Sequence, residues 1–136
     1  MSFDTRIKQM QAFFATNFTG VVAAQIQWDN VREDSSLDKD SAWIAVSIQP
    51  NVANFASIGT TRRVRHEGFF VVQVFTPVDE TTESANDIAQ NVADTLEGEL
   101  LPDGVLFKES RITRVGVANG YYQLNVFTAY QYDDMR

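Results

Sequence analysis

One histidine, no cysteine and a run of arginines make up most of this chain's capacity for chemistry. His66 follows Arg62, Arg63 and Arg65. A histidine base of the Ser-His-Asp kind needs a nucleophile on one side and an orienting acid on the other, and the sequence offers no G-x-S-x-G or related context to supply them. His66 therefore reads as a surface residue. The lack of cysteine excludes thiolate nucleophiles, disulfides and cysteine-based metal sites. No P-loop, G-x-G-x-x-G or H-E-x-x-H is present. Asp133 and Asp134 form a carboxylate pair in what reads as a C-terminal tail, where nothing would desolvate either acid enough for proton transfer. No catalytic residue, cofactor or metal is expected.

Two charged groups remain. Asp29, Glu33, Asp34, Asp38 and Asp40 gather with Ser35 and Ser36 in a stretch without apolar period, which reads as a mobile acidic loop at about residues 29–41. Loops of that length in a small domain are usually functional or disordered. A calcium loop of the EF-hand type needs acids at alternate positions, a central glycine and a terminal glutamate, and this stretch has neither the glycine nor the spacing. Arg62, Arg63 and Arg65 form a basic island in an acidic chain. Three readings stand: edge charges that block aggregation, an ion-pair site for a neighbouring subunit's acidic loop, or contact with passing nucleic acid. The formal net charge is −7 and the isoelectric point is near 4.5, so duplex binding by phosphate neutralisation is not expected.

The elements that must position these residues follow from hydrophobic period. Phe3, Ile7, Met10 and Phe14 mark one face of a helix over 3–17, widened by Phe13, with Ser2 as its N-cap. Residues 21–28 read as a short strand. Residues 43–48 alternate as a strand that Pro50-Asn51 breaks, and residues 55–60 read as the start of the next one. Residues 69–75 are the most apolar run, as in a central strand covered on both faces by two helices, or by one helix and a partner subunit. Ala85, Ile88, Ala89, Val92, Ala93 and Leu96 form the stripe of a second helix over 82–100, capped by Thr81. Asn119-Gly120 joins two alternating runs and marks a hairpin over 105–132. The expected fold is α+β: one domain over 1–136, with a mixed, mainly antiparallel sheet, two helices packed on it and a C-terminal β-hairpin. Met1-Ser2-Phe3-Asp4 lacks the character of a signal peptide, and no apolar run is long enough to span a membrane, so a soluble protein made in the cytoplasm is expected.

This order resembles the bacteriophage tail terminator proteins of long-tailed phages and related small phage-associated domains. The likeness rests on an N-terminal helix, Trp28-Asp29-Asn30-Val31, and a strand opening at Ala42-Trp43. Arg65-His66-Glu67-Gly68 then precedes an apolar strand, Pro77 and the second helix. Paired strands closing on Phe127 to Tyr132 complete the likeness. The resemblance implies a virion protein at the head-proximal end of the tail, assembled in the host cytoplasm. It implies a ring, a homohexamer, that caps the tail tube, ends its polymerisation and joins the head connector. Its partners would be other copies of itself, the tail tube protein and a head–tail connector or neck protein. DNA would pass through the lumen without specific binding. From the family's Arg-x-x-Gly pattern, Arg65 would fix a neighbour by hydrogen bonds and Gly68 would permit a close turn or bulge. The rival readings are another neck, tail-completion or head-closure protein, a small α+β enzyme or ligand-binding domain, and a single-strand binder stacking bases on Tyr121, Tyr122 and Tyr130.

Overall fold

The computed structural model describes residues 3–29, 37–78 and 82–135. Ser2, Thr81, Glu33 and Asp34 lie outside the described residues. Helix α1 (Phe3–Asn17) leads into a 3-10 turn (Ala23–Gln25) and strands β1 (Ile26–Trp28), β2 (Trp43–Phe55) and β3 (Arg63–Pro77). Helix α2 (Thr82–Leu96) precedes strands β4 (Leu106–Ala118) and β5 (Tyr121–Met135). The five strands form one sheet in the order β1-β2-β3-β5-β4, parallel only between β1 and β2. The architecture is α+β with a mixed, mainly antiparallel sheet, and it ends in the expected hairpin. Asn119 (φ 54°) and Gly120 (φ 82°) take the left-handed conformations that a two-residue hairpin turn requires.

The core lies between the helices and one face of the sheet. Met10 and Phe14 of α1 and the whole apolar stripe of α2 pack with Ile44, Val46, Phe70, Val72, Val74, Leu124, Val126 and Tyr130. The even-numbered residues of β3 face this layer. Both helices therefore cover the same face. The apolar run of β3 is not sandwiched between helices, and its other face carries Phe69, Val71, Gln73 and Phe75 with no helix over it among the described residues.

Several boundaries differ from the sequence expectation: β1 is confined to Ile26–Trp28, β3 starts at Arg63, and three further differences have a clear physical cause. Pro50 does not end β2: the strand absorbs it with a register shift between Pro50 and Val52 and runs on to Phe55. A proline in a strand loses one ladder bond and is accommodated at a bulge. Residues 55–60, read as a strand start, instead hold the end of β2 at Phe55 and part of the turn of a β2–β3 hairpin, closed by the Ala56 N–H donating to Arg63 O (2.7 Å) and the Arg63 N–H donating to Ser57 Oγ (2.8 Å). Helix α2 stops at Leu96, because Gly98 takes φ +77° and turns the chain out of the helix. The parallel pairing of β1 with β2 also explains the length of the acidic segment: a parallel connection must carry the chain back across the sheet, which takes a dozen or more residues.

Candidate functional site

The charged residues converge on the root of the β2–β3 hairpin, where β5 pairs with β3. Arg65 lies directly opposite Asp133 in the ladder, His66 opposite Tyr132, and Gly68 opposite Tyr130. The Arg65 guanidinium donates from Nε to Asp133 Oδ1 (3.1 Å) and from Nη2 to Oδ2 (3.3 Å), a forked contact. That hydrogen bond, and then the carboxylate's charge, raise the Arg65 pKa above the usual arginine value. Arg63 Nε lies 3.8 Å from the same carboxylate. Arg62 has a different environment: its guanidinium lies 5.5 Å from the centre of the Phe55 ring. The basic island thus divides. Arg63 and Arg65 lock β3 to β5, and Arg62 stands near the hairpin tip.

Asp133 and Asp134 are strand residues, not a solvated tail, because β5 continues to Met135. Asp134 lies on the helix side, with Oδ1 3.5 Å from Arg6 Nη2 and Oδ2 3.2 Å from His66 Nε2. Arg6 also donates from Nη1 to the Asp103 carbonyl oxygen, and its guanidinium sits 5.0 Å from the Tyr132 ring centre. His66 is correspondingly mostly buried, stacked on Tyr132 with ring centres 4.7 Å apart, and is not the surface residue expected. Sequence period placed Phe3 on the buried face of α1. Phe3 is 46% exposed and Arg6 is only 7% exposed, because the arginine has a carboxylate, a carbonyl and an aromatic ring to receive it. The potential acid–base groups, His66, Asp134 and Arg6, contact one another and cross-link α1, β3 and β5.

Gly68 lies opposite the register shift between Pro50 and Val52, not in a turn, and its backbone is not left-handed. Its role is close approach: a Cβ there would lie 2.5 Å from Gln49 O and 2.6 Å from the Tyr130 hydroxyl. Tyr130 is 1% exposed, and its hydroxyl has no hydrogen-bond partner among the described residues. Burial, and secondarily Tyr132, push its pKa from 10.0 up to about 12. A tyrosine that ionises later in the folded chain stabilises fully below pH 10 and loses that contribution as pH rises from 10 to 12. Unfolding free energy should fall over that window by on the order of 2 kcal/mol. Tyr130→Phe should flatten that part of the curve, as read by denaturant titration at stepped pH.

The acidic segment is tied down where it is described. Gln25 Nε2 donates to Asp38 O (2.8 Å) and Ala42 O (2.9 Å), while its Oε1 accepts from the Asp38 N–H (2.8 Å). The Asp38 carboxylate accepts from the Asp40 N–H (3.0 Å) and the Ser41 hydroxyl (3.1 Å), and Leu37 is buried. Asp29 follows β1, and Asp40 lies near the Asn119-Gly120 turn. The described acids, Asp29, Asp38 and Asp40, are therefore not gathered against the arginines of the same chain. Gln25 escaped sequence reading because a glutamine pinning a backbone segment thirteen or more residues away has no local signature. Among the described residues, no cluster of three or more His, Asp or Glu could hold a metal ion, and no helix is long and apolar enough to cross a membrane.

The sheet face that bears no helix among the described residues is the other extended feature. Trp43 stacks on Phe75 at 4.3 Å, and Phe69 meets Phe127 edge-on at 6.2 Å. Gln73 and Asn125 lie opposite each other between these pairs, and Arg111 lies 5.5 Å from the Phe127 ring centre. The central rows of this face carry no carboxylate.

A search of curated proteins finds no match. Among solved structures, one without a descriptive name superposes with a TM-score of 0.72 at 15% identity, covering 97% of this chain and 96% of the other. A chain from the virion of a native gene transfer agent particle superposes with a TM-score of 0.54 at 20% identity, covering 94% and 91%. At such identities these likenesses establish the fold alone. The phage tail terminator protein family matches residues 5–116, from α1 through nearly all of β4. With well over half of its length matched, this chain belongs to the phage tail terminator family and is a tail-associated structural protein of the virion.

Proposed function

We propose that copies of this chain close into a ring, a hexamer, that caps the head-proximal end of the tail tube, ends its polymerisation and presents the surface that meets the head connector. The observation that carries this reading is the sheet face left open opposite the helices. Its aromatic and amide rows are half-buried within the chain and have the mixed character of a protein contact surface rather than a ligand cleft. The family supplies the setting, a phage tail. A ring built from one chain type needs a heterologous contact that closes on itself, and an asymmetric unit with a protruding hairpin at one end suits that better than a two-fold pairing. With a net charge of −7 per copy, the ring would let DNA through without holding its phosphates.

The test is capping. Purified tube protein polymerising with this chain should give shorter tubes, each bearing a disc with an open pore at one end in negative stain. Native mass of the disc should read six copies. Tubes of unchanged length with bare ends would refute the reading.

A further inference from the structure

The β2–β3 hairpin projects as an arm. Beyond Gln49, every residue of β2 and of the turn is exposed up to Arg63. Its tip carries Ile58, which is 98% exposed, flanked by Phe55 and Arg62. An isoleucine so fully in water, at the end of a turn held closed by its own hydrogen bonds, gains nothing for the isolated fold. At the arm's root lies a groove of about 460 Å³, walled by Phe3, Pro50, Val52 and Ala53 and floored by Tyr130 and Tyr132. The groove is mostly apolar, with Asn51, His66 and Glu67 as its polar lining. Glu67 stands at its margin, 42% exposed and 3.7 Å from Lys108.

We propose that the arm tip of one copy docks in the arm-root groove of a second copy, with Ile58 as the inserted side chain. This deepens the ring reading and rests on it. The tip and the groove complement each other in two respects. Ile58 matches the apolar walls. The cationic Arg62, with no carboxylate at ion-pair distance among the described residues, matches the anionic Glu67. The tip does not reach its own groove: three residues of extended strand carry the chain from Ala53, the groove's outer wall, to the turn at Ala56, about 10 Å at the usual rise per residue. The occupant is therefore another copy. A contact between different patches of identical chains propagates head to tail and gives a ring where its rotation closes.

The chain's lack of cysteine makes a clean test possible. Ile58→Cys combined with Ala53→Cys, oxidised after assembly on tube ends, should give a ladder of covalent oligomers on a non-reducing gel. Ile58→Cys alone should give dimers at most, and Ala53→Cys alone monomers. A second variant, Glu67→Lys, should weaken assembly about fivefold or more, because it sets a cation against Arg62 of the docked tip. It should leave the monomer's Tm nearly unchanged, since Glu67 is 42% exposed and its pair with Lys108 is a surface contact. Rings that form without a ladder, or that form equally well with Glu67→Lys, would overturn the docking contact and leave the ring standing. Absence of rings from the unsubstituted protein would overturn both.

Discussion

Asp134→Ala should lower the unfolding free energy by about 3 kcal/mol, the loss expected when a buried ion pair is broken from one side. Tm should fall by roughly 10 °C for a domain of this size. Arg6 is almost wholly buried, and its guanidinium faces Asp134, the Asp103 carbonyl and the Tyr132 ring. Removing the carboxylate leaves a cation in a site built for an anion beside it, and it also strips His66 of its neighbour. The reverse substitution, Arg6→Met, should cost less. Asp134 keeps His66 at 3.2 Å and retains some solvent, while methionine preserves packing on Tyr132. The double variant Arg6→Met/Asp134→Leu removes both charges and should recover most of the loss, because an apolar pair of similar volume often replaces a buried ion pair at little cost. Chemical denaturation of the three variants distinguishes the cases. A loss under 1 kcal/mol for Asp134→Ala, or no recovery in the double variant, would show that the cluster is solvated and holds nothing together.

That cluster also marks the limit of what sequence reading reached. Helix α2 was legible because its stripe is a local property: Ala85, Ile88, Ala89, Val92, Ala93 and Leu96 recur at helical spacing, and all six are buried. The closing hairpin was legible because Asn119-Gly120 encodes its own backbone geometry. Along β5 the alternation also held, with Leu124, Val126, Thr128, Tyr130 and Tyr132 turned inward. What failed was long-range. Arg65 meets Asp133 across 68 positions, and Arg6 meets Asp134 across the whole chain, so no spacing rule connects them. The burial of Arg6 inverted the inferred face of α1 at its first turn. Pro50 misled for a related reason: a proline ends a strand only if the ladder cannot absorb it, and that depends on the partner strand. Read without partners, the arginines and aspartates could be counted but not paired. The extended arm, which requires β2 to run through Pro50, could not be seen.

The arm and the open face also explain why a chain with so little chemistry keeps so many aromatic residues. Several rings pack the interior, such as Phe14 against Phe70 at 5.3 Å. Others, including Trp43, Phe75 and Phe127, lie on the face that bears no helix among the described residues. Aromatic side chains supply large contact area at small entropic cost, which favours them at protein interfaces. A β-sheet packed by helices on one face offers its other face as a contact surface without requiring a cleft.

Gly68 is where arm, core and groove meet, and Gly68→Ala should be strongly destabilising although it adds a single methyl group. The position sits in the middle of a paired strand, where alanine is normally tolerated. Here the added carbon would lie 2.5 Å from Gln49 O, 2.6 Å from the Tyr130 hydroxyl and 2.8 Å from Tyr130 Cζ. A backbone oxygen in a ladder cannot withdraw without breaking the pairing of Gln49 with Phe69 and of Pro50 with Gly68. The tyrosine ring cannot rotate away from under its neighbours in the core. Overpacking of this kind costs about 1–3 kcal/mol, and two rigid neighbours place this site at the upper end. The Tm should fall by about 10 °C. Adding Tyr130→Phe removes the hydroxyl oxygen but leaves Cζ and the Gln49 carbonyl, so it should restore only part of the loss. Full rescue would show that the hydroxyl alone constrains the site. No loss in the single variant would mean that β2 and β3 yield at Pro50, and that the root of the arm is a hinge and not a fixed support. A partial rescue, with Tm set mainly by the backbone contact, would establish that glycine is required here for space rather than for its backbone freedom.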